Sequence, residues 1–95
     1  MPTPVVALNR AVALSMAEGP AAGLALVDEL EQAGSLEGYH LLPATRADLL
    51  RRLGRRHEAA TAYRRAMALA GTDAERAYLL RRLDEVAGDD APGEA

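Results

Sequence analysis

The chain has 95 residues, contains no cysteine and no tryptophan, and carries a net charge of −3 at neutral pH. This length supports one domain, and the missing thiols exclude disulfides, thiol catalysis and thiolate metal sites. No apolar run approaches the roughly 20 residues that cross a bilayer, and the N-terminus lacks a signal-peptide pattern, so we expect a cytoplasmic protein with no membrane partner.

Charge is segregated along the chain. Residues 1–40 hold one Arg against five acids, residues 41–82 hold ten Arg against four acids, and residues 83–95 hold five acids and no base. The middle of the chain is therefore strongly basic, although the chain as a whole is acidic.

The first part of the chain predicts two helices joined by a tight turn. Helix one begins at about Pro4, where a missing N–H costs no hydrogen bond, and runs to about Ala17. The Gly-Pro pair at positions 19 and 20 ends this helix and opens the next. Helix two then runs to about Gln32.

Residues 39–69 carry the most specific pattern in the sequence. We predict helix three with Pro43 in its first turn, a tight turn at Gly54, and helix four over about Arg56–Ala70. Four residues of helix four recur at spacings of four, three and three: Ala59, Tyr63, Ala66 and Leu69. These spacings place them on one helix face, where small residues around a Tyr let a neighbouring helix approach closely.

The C-terminal part predicts one more helix and a tail. Thr72 and Glu75 have the spacing of a capping box, and helix five follows to about Ala87. We expect four residues of this helix to face inward: Ala77, Leu80, Leu83 and Val86. Residues 1–87 then form the helical domain. Residues 88–95 are acidic and have nothing to bury, which predicts a disordered tail.

An internal repeat links the two halves. A shift of 36 residues aligns six pairs of positions: 10 with 46, 11 with 47, 14 with 50, 23 with 59, 27 with 63 and 30 with 66. This period, the turn at Gly54 and the helix-four pattern are typical of the tetratricopeptide repeat. We therefore predict an all-α fold of about five helices, paired as antiparallel hairpins and stacked in a right-handed superhelical turn. So short an array predicts either a homodimer or packing against another part of a longer protein.

Three segments carry a family resemblance: ALNRAVA at 7–13, GPAAGLAL at 19–26, and GYHLL followed by RADLLRRLGR, which ends at 55. Over about residues 4–83 the sequence resembles the C-terminal extension of a group of bacterial extracytoplasmic-function sigma factors. The resemblance implies a role in transcription initiation, with a tetratricopeptide-like region acting as the regulatory module in place of a separate anti-sigma factor. The sigma-factor parts that bind polymerase and read promoter DNA are absent from these residues.

The first helix of each tetratricopeptide hairpin lines a concave groove. Eight residues form a candidate partner-binding groove: Asn9, Val12, Met16, Thr45, Asp48, Arg52, Tyr78 and Arg82. Such a set can hold an extended peptide through its backbone or an acidic side chain. The alternative is that Val12 and Met16 belong to the core and the polar members are simply solvated.

Arginine side chains form a candidate basic patch: Arg51, Arg52, Arg55 and Arg56. Such a patch can clamp carboxylates of a partner or follow phosphates, although a solvated helix face is the alternative reading. Because no aromatics are interleaved and no element is suited to enter a nucleic-acid groove, we expect no direct nucleic-acid contact. Arg10 and Arg46 lie at equivalent repeat positions, and we expect them to pair with acids or carbonyls and to tie one hairpin to the next.

The residue types of catalysis are scarce. His40 and His57 lie on different helices without the spacing of metal ligands, and the glycines are dispersed as helix caps. We therefore expect no enzyme, no cofactor and no metal.

The family resemblance, together with the predicted hairpin fold, implies a regulatory protein–protein interaction domain of an extracytoplasmic-function sigma factor in bacterial transcription. Its partner would be the sigma domains of the same polypeptide, core RNA polymerase or another protein. The alternative is a free-standing tetratricopeptide adaptor that binds an unrelated peptide or protein. A small-ligand sensor is a third possibility, and it requires a buried pocket with convergent polar groups.

Overall fold

The computed structural model describes residues 3–90, with side chains as far as residue 87, and this part of the chain is all helical. Its five helices are α1 (Pro4–Glu18), α2 (Pro20–Ala33), α3 (Leu41–Arg52), α4 (Arg56–Leu69) and α5 (Asp73–Asp90). The prediction of an all-α fold with five helices is confirmed. None of these helices combines the length and the apolar character that a bilayer crossing requires.

Local sequence signals set the ends of the helices. The Thr3 hydroxyl accepts a hydrogen bond of 3.1 Å from the Val6 N–H, which caps α1. Gly19, with φ of 102°, ends α1, and Gly54, with φ of 79°, makes the turn between α3 and α4. Pro43 lies in the first turn of α3, as predicted, where its missing N–H breaks no helical hydrogen bond.

The capping box at the start of α5 is formed in both directions. The Glu75 N–H donates to Thr72 Oγ1 at 3.1 Å, and the Thr72 N–H donates to Glu75 Oε1 at 3.2 Å. The same carboxylate oxygen accepts from the Gly71 N–H at 2.9 Å. Three N–H groups that the helix itself leaves unpaired are thereby satisfied.

The helices stack in chain order as hairpins. We call the α1–α2 pair hairpin one and the α3–α4 pair hairpin two, and α5 packs against α4. Between the hairpins, α2 packs against α3, and Glu31 of α2 contacts both Arg46 and Arg65. Arg46 thus ties hairpin two to hairpin one as predicted, whereas Arg10, for which the same role was expected, is exposed and makes no such contact among the described residues. The right-handed sense of the stack stays a prediction.

The core is built mainly from Ala, Leu and Val. Six side chains are the largest of those that are fully buried: Tyr63, Leu50, Leu79, Val27, Val86 and Ser15. In helix four, Ala59, Tyr63 and Ala66 are buried as their spacing predicts, whereas Leu69, the fourth residue of that pattern, lies at the end of α4 and is 38% exposed. The core therefore has one aromatic ring at its centre, in α4.

The inner face of α5 differs from the prediction. Leu79 and Val86 are buried and Leu83 is half-buried, whereas Ala77 and Leu80 are exposed. Two apolar stripes, one residue apart, run along this helix, and the packing against α4 selects the stripe that contains Leu79. Sequence spacing alone does not distinguish two such neighbouring stripes.

The helix α5 also runs three residues past its predicted end, as far as Asp90. The first residues of the predicted disordered tail, 88–90, are therefore helical. The rest of that tail, residues 91–95, lies outside the described residues.

Candidate functional site

The predicted groove residues lie on three helices, on the side of the stack formed by α1, α3 and α5. On α1, Asn9, Val12 and Met16 are exposed on one stripe, so the alternative that Val12 and Met16 belong to the core is wrong. On α3, Thr45 and Asp48 are half-buried and Arg52 is exposed. On α5, Tyr78 is exposed and Arg82 is half-buried.

The structure brings three of these residues together in what we call the polar row: Asp48, Tyr78 and Arg82. The Tyr78 hydroxyl lies 3.5 Å from Asp48 Oδ2, which links α5 to α3. Arg82 Nε lies 3.4 Å from the Tyr78 hydroxyl, and its guanidinium carbon lies 5.5 Å from the centre of the Tyr78 ring. The hydrogen bonds of Arg82 with Tyr78 and then with Glu85 raise the pKa of Arg82, so its positive charge is fixed.

Tyr63 supports the polar row from beneath. Its ring is fully buried, while its hydroxyl donates to Asp48 Oδ1 and accepts a hydrogen bond of 3.1 Å from Arg51 Nε. Burial, followed by the hydrogen bond to Asp48, raises the pKa of Tyr63, so the hydroxyl keeps its proton and remains a donor. The other carboxylate oxygen of Asp48 is left to face Tyr78 and the groove.

Sequence reasoning missed this support. It placed Tyr63 in the packing face of helix four and Asp48 in the groove, without joining the two. The available signal was Asp48 and Arg51, three residues apart on α3, opposite a Tyr whose hydroxyl needs a partner when its ring is buried.

An apolar recess of about 300 Å³ lies beside the polar row, between the N-terminal halves of α3 and α5. Seven residues line it: His40, Leu41, Ala44, Ala74, Glu75, Tyr78 and Leu79. His40 Nε2 and Glu75 Oε2 lie 3.5 Å apart and join the starts of the two helices. The recess thus combines aliphatic walls with a few polar groups, an arrangement that suits an apolar side chain carried on a polar backbone.

The four residues of the candidate basic patch do not act as one surface. Arg51 turns toward Tyr63 and Asp48, and Arg55 makes two hydrogen bonds of 2.7 and 2.8 Å with Glu58. The hydrogen bond with Glu58 raises the pKa of Arg55 and, in turn, lowers the pKa of Glu58. Arg52 and Arg56 are exposed, and Arg56 lines a second cavity of about 210 Å³ with Arg51 and Glu85. Much of the positive charge of this segment is therefore balanced within the domain.

His40 and His57 are placed apart, the first directly before α3 and the second in α4. His40 faces Glu75, while His57 is exposed. Among the side chains of residues 3–87, no three of the His, Asp and Glu types are grouped so that they could hold a metal ion. The arrangement around the polar row therefore offers binding groups, namely hydrogen-bond donors, one carboxylate and an apolar recess.

Comparison with known proteins gives one informative match. No protein-family model and no solved structure matches the chain. The chain is 49% identical over 90 residues to an uncharacterized protein of Rhizobium meliloti (strain 1021). The match covers 95% of this chain but 21% of the relative, so the chain spans about a fifth of the length of the relative that it matches. In that relative, the similar region is one part of a much longer polypeptide.

Proposed function

We propose that the chain is the regulatory protein-interaction domain of an extracytoplasmic-function sigma factor and that it modulates transcription initiation by binding a protein segment in the groove between α3 and α5. The resemblance over about residues 4–83 supports the sigma-factor assignment. The hairpin stack is the fold that such an extension is expected to have. The relative of Rhizobium meliloti supports a place within a longer polypeptide, because the matched region is 21% of that protein.

The observation that carries the proposal is the pairing of the apolar recess with the polar row. Tyr78 belongs to both, because its ring lines the recess and its hydroxyl faces Asp48. An extended segment can therefore place an aliphatic side chain in the recess while its backbone or a carboxylate meets Arg82. Support from the buried Tyr63 hydroxyl holds Asp48 in position before the partner arrives, which lowers the entropic cost of binding.

An acidic partner segment fits this side of the domain best. Arg52 is exposed on the groove face of α3, whereas Arg82 is half-buried and has Glu85 as a partner at 3.0 Å, so Arg52 is the less compensated of the two guanidinium groups. Charge complementarity of this kind speeds association and selects the partner more than it adds affinity. We therefore expect binding to weaken as the salt concentration rises.

Calorimetric titration tests the proposal. The chain is titrated separately with purified bacterial core RNA polymerase and with the remainder of the Rhizobium meliloti relative, produced without the region that matches this chain. We expect saturable binding to one of them, which Tyr78→Ala and Arg82→Ala each weaken by about tenfold or more. The matched control is Arg81→Ala, because Arg81 is exposed on α5 beside Arg82 but outside the polar row.

Absence of binding to both proteins, with the circular dichroism spectrum of a folded helical protein, would contradict the proposal. A free-standing adaptor would then be the better description, and its ligand would be sought among peptides with an aliphatic and an acidic residue. Equal loss of binding in Arg81→Ala and Arg82→Ala would place the interface outside the groove.

A further inference from the structure

One face of α1 is uncovered although its counterpart on α3 is covered. The helix α3 packs between α2 and α4, and Arg46 marks the side toward α2, because its Nε lies 2.9 Å from Asp28 Oδ1 and 3.6 Å from Glu31 Oε1. Three leucines share this helix face with Arg46: Leu42, Leu49 and Leu53. Leu42 is 6% exposed and Leu49 is 2% exposed, so this face is closed.

The 36-residue repeat identifies the corresponding residues of α1, which we call the open stripe: Val6, Arg10, Ala13 and Ala17. All four are exposed, and Val6 is 48% exposed where its counterpart Leu42 is 6% exposed. The opposite side of α1 is closed in the usual way, since Leu8, Ala11 and Ser15 are buried. On this face the two helices differ in their cover, because the leucines of the equivalent stripe are buried or half-buried on α3, whereas the open stripe is exposed on α1.

We propose that the open stripe is the docking face for one further amphipathic helix, which covers α1 as α2 covers α3 and presents two carboxylates, one helical turn apart, to Arg10. The apolar and small residues of the stripe allow a helix to approach closely. Arg10 occupies the same repeat position as Arg46, which contacts Asp28 and Glu31 of α2. The repeat therefore predicts that a similar acidic pair on the covering helix contacts Arg10.

The topology indicates where this helix comes from. The cover of α3 is α2 and the cover of α5 is α4, and each cover directly precedes the helix that it covers. The new helix is therefore a segment that precedes α1 in a longer polypeptide, such as the relative in which the matched region is 21% of the length.

A second copy of the chain is a poorer occupant. Pairing two open stripes would bring two Arg10 side chains together with no acid on the stripe. This inference concerns a surface outside the groove and does not depend on the proposed function.

The chain itself supplies the covering helix for a test. In an extended chain, a copy of residues 20–39 is placed directly before residue 4, so that the copied α2 precedes α1 with the spacing that separates α2 from α3. We expect the extended chain to melt a few degrees higher than the original chain. We also expect the amides of the copied helix to be protected from hydrogen exchange.

Arg10 gives the specific readout. Arg10→Ala should lower the melting temperature of the extended chain and should not lower that of the original chain, in which Arg10 is exposed. In the matched control, the copied segment carries Asp28→Asn and Glu31→Gln, and there Arg10→Ala should have no further effect. This comparison isolates the charge pairing from the apolar contact.

Two results would overturn the inference. In the first, the copied segment exchanges its amide hydrogens freely and leaves the melting temperature unchanged. In the second, the original chain sediments as a dimer that Val6→Glu converts to a monomer, which would make a second copy the occupant of the open stripe.

Discussion

The two hairpins align at equivalent repeat positions, but the two helices of each hairpin pack together in different ways. In hairpin one, α2 approaches α1 so closely that a Cβ on Gly23 would lie 2.6 Å from Ser15 Cβ and 2.7 Å from the Ala11 carbonyl oxygen. In hairpin two, the equivalent position is Ala59, and the buried ring of Tyr63 takes the place of Val27. Hairpin one is closed by the contact of backbones, whereas hairpin two is held by a large side chain.

The same difference decides where binding groups occur. The Ser15 hydroxyl of hairpin one donates to the Val12 carbonyl oxygen at 2.6 Å, so its polar group is satisfied within α1. At the equivalent positions hairpin two carries Arg51 and Asp48, whose polar groups meet Tyr63 and extend toward α5. The position of Ser15 thus serves packing in hairpin one, whereas its equivalent in hairpin two, Arg51, supplies a polar group that contacts Tyr63. The candidate site lies at hairpin two for this reason.

Removal of the Tyr63 ring is expected to give the largest difference in stability between the two hairpins. Tyr63→Ala should lower the free energy of unfolding by about 3–5 kcal/mol in urea titration, because a fully buried aromatic ring leaves a large cavity. Val27→Ala at the equivalent position of hairpin one should cost less, since fewer buried carbons are removed. Equal costs would contradict the view that hairpin two depends on its ring.

Overpacking the contact between α3 and α4 in hairpin two should cause the next largest loss of stability. Ala59→Leu should lower the free energy of unfolding by about 1–3 kcal/mol, because Ala59 is fully buried where α4 meets α3. Ala68→Leu is the matched control on the same helix, since Ala68 is exposed. If the thermal midpoint is the same for Ala59→Leu and for the unmodified chain, the alignment of α4 on α3 that buries Ala59 between them is wrong.

Gly23 tests the close approach in hairpin one. Gly→Ala inside a helix ordinarily stabilises by about 1 kcal/mol, but here the added Cβ would overlap the Ala11 backbone, so we expect a loss of about 1 kcal/mol or more. Gly71→Ala is the control, because the nearest atom to a Cβ there is Glu75 Oε1 at 3.9 Å. A Gly23→Ala variant that is more stable in thermal unfolding would show that the helices can separate at no cost.

The smallest expected effect is a dependence of stability on pH, which comes from the Glu75 carboxylate at the start of α5. The Gly71 N–H, together with His40 and Thr72, lowers the pKa of Glu75 below its ordinary value of 4.5. The unfolded chain then binds the proton more readily, so this stabilisation is present above about pH 4.5 and is lost as the pH falls through the folded-state pKa. In acid titrations of unfolding, Glu75→Gln should flatten this decline. An unchanged slope in that variant would assign the acid sensitivity to other carboxylates.

Much of the fold could be predicted from sequence because its signals are local. Gly19, Pro20, Gly54 and the Thr72–Glu75 pair end or begin helices through their own backbone and side-chain chemistry. The inner stripe of α5 could not be predicted, since choosing Leu79 over Leu80 requires the position of α4. Three groove residues were predicted to share a surface and do meet, namely Asp48, Tyr78 and Arg82.

The basic patch shows why proximity in sequence is a weaker guide than contact across helices. Arg51 and Arg55 lie four residues apart, yet one turns to Tyr63 and the other to Glu58. The buried hydroxyl of Tyr63 and the nearby Glu58 carboxylate attract them in different directions. Side-chain charge therefore has to be counted together with its partners before a surface is called basic.

The chain-order stacking of the helices has a consequence for folding during synthesis. Each helix packs mainly on the helix that precedes or follows it, so little chain entropy is lost before a contact forms. Ribosomes release roughly 5–20 residues per second, far more slowly than a helical hairpin closes. Hairpin one can therefore form while α4 is still being translated, and α2 is then in place to receive α3 as it emerges.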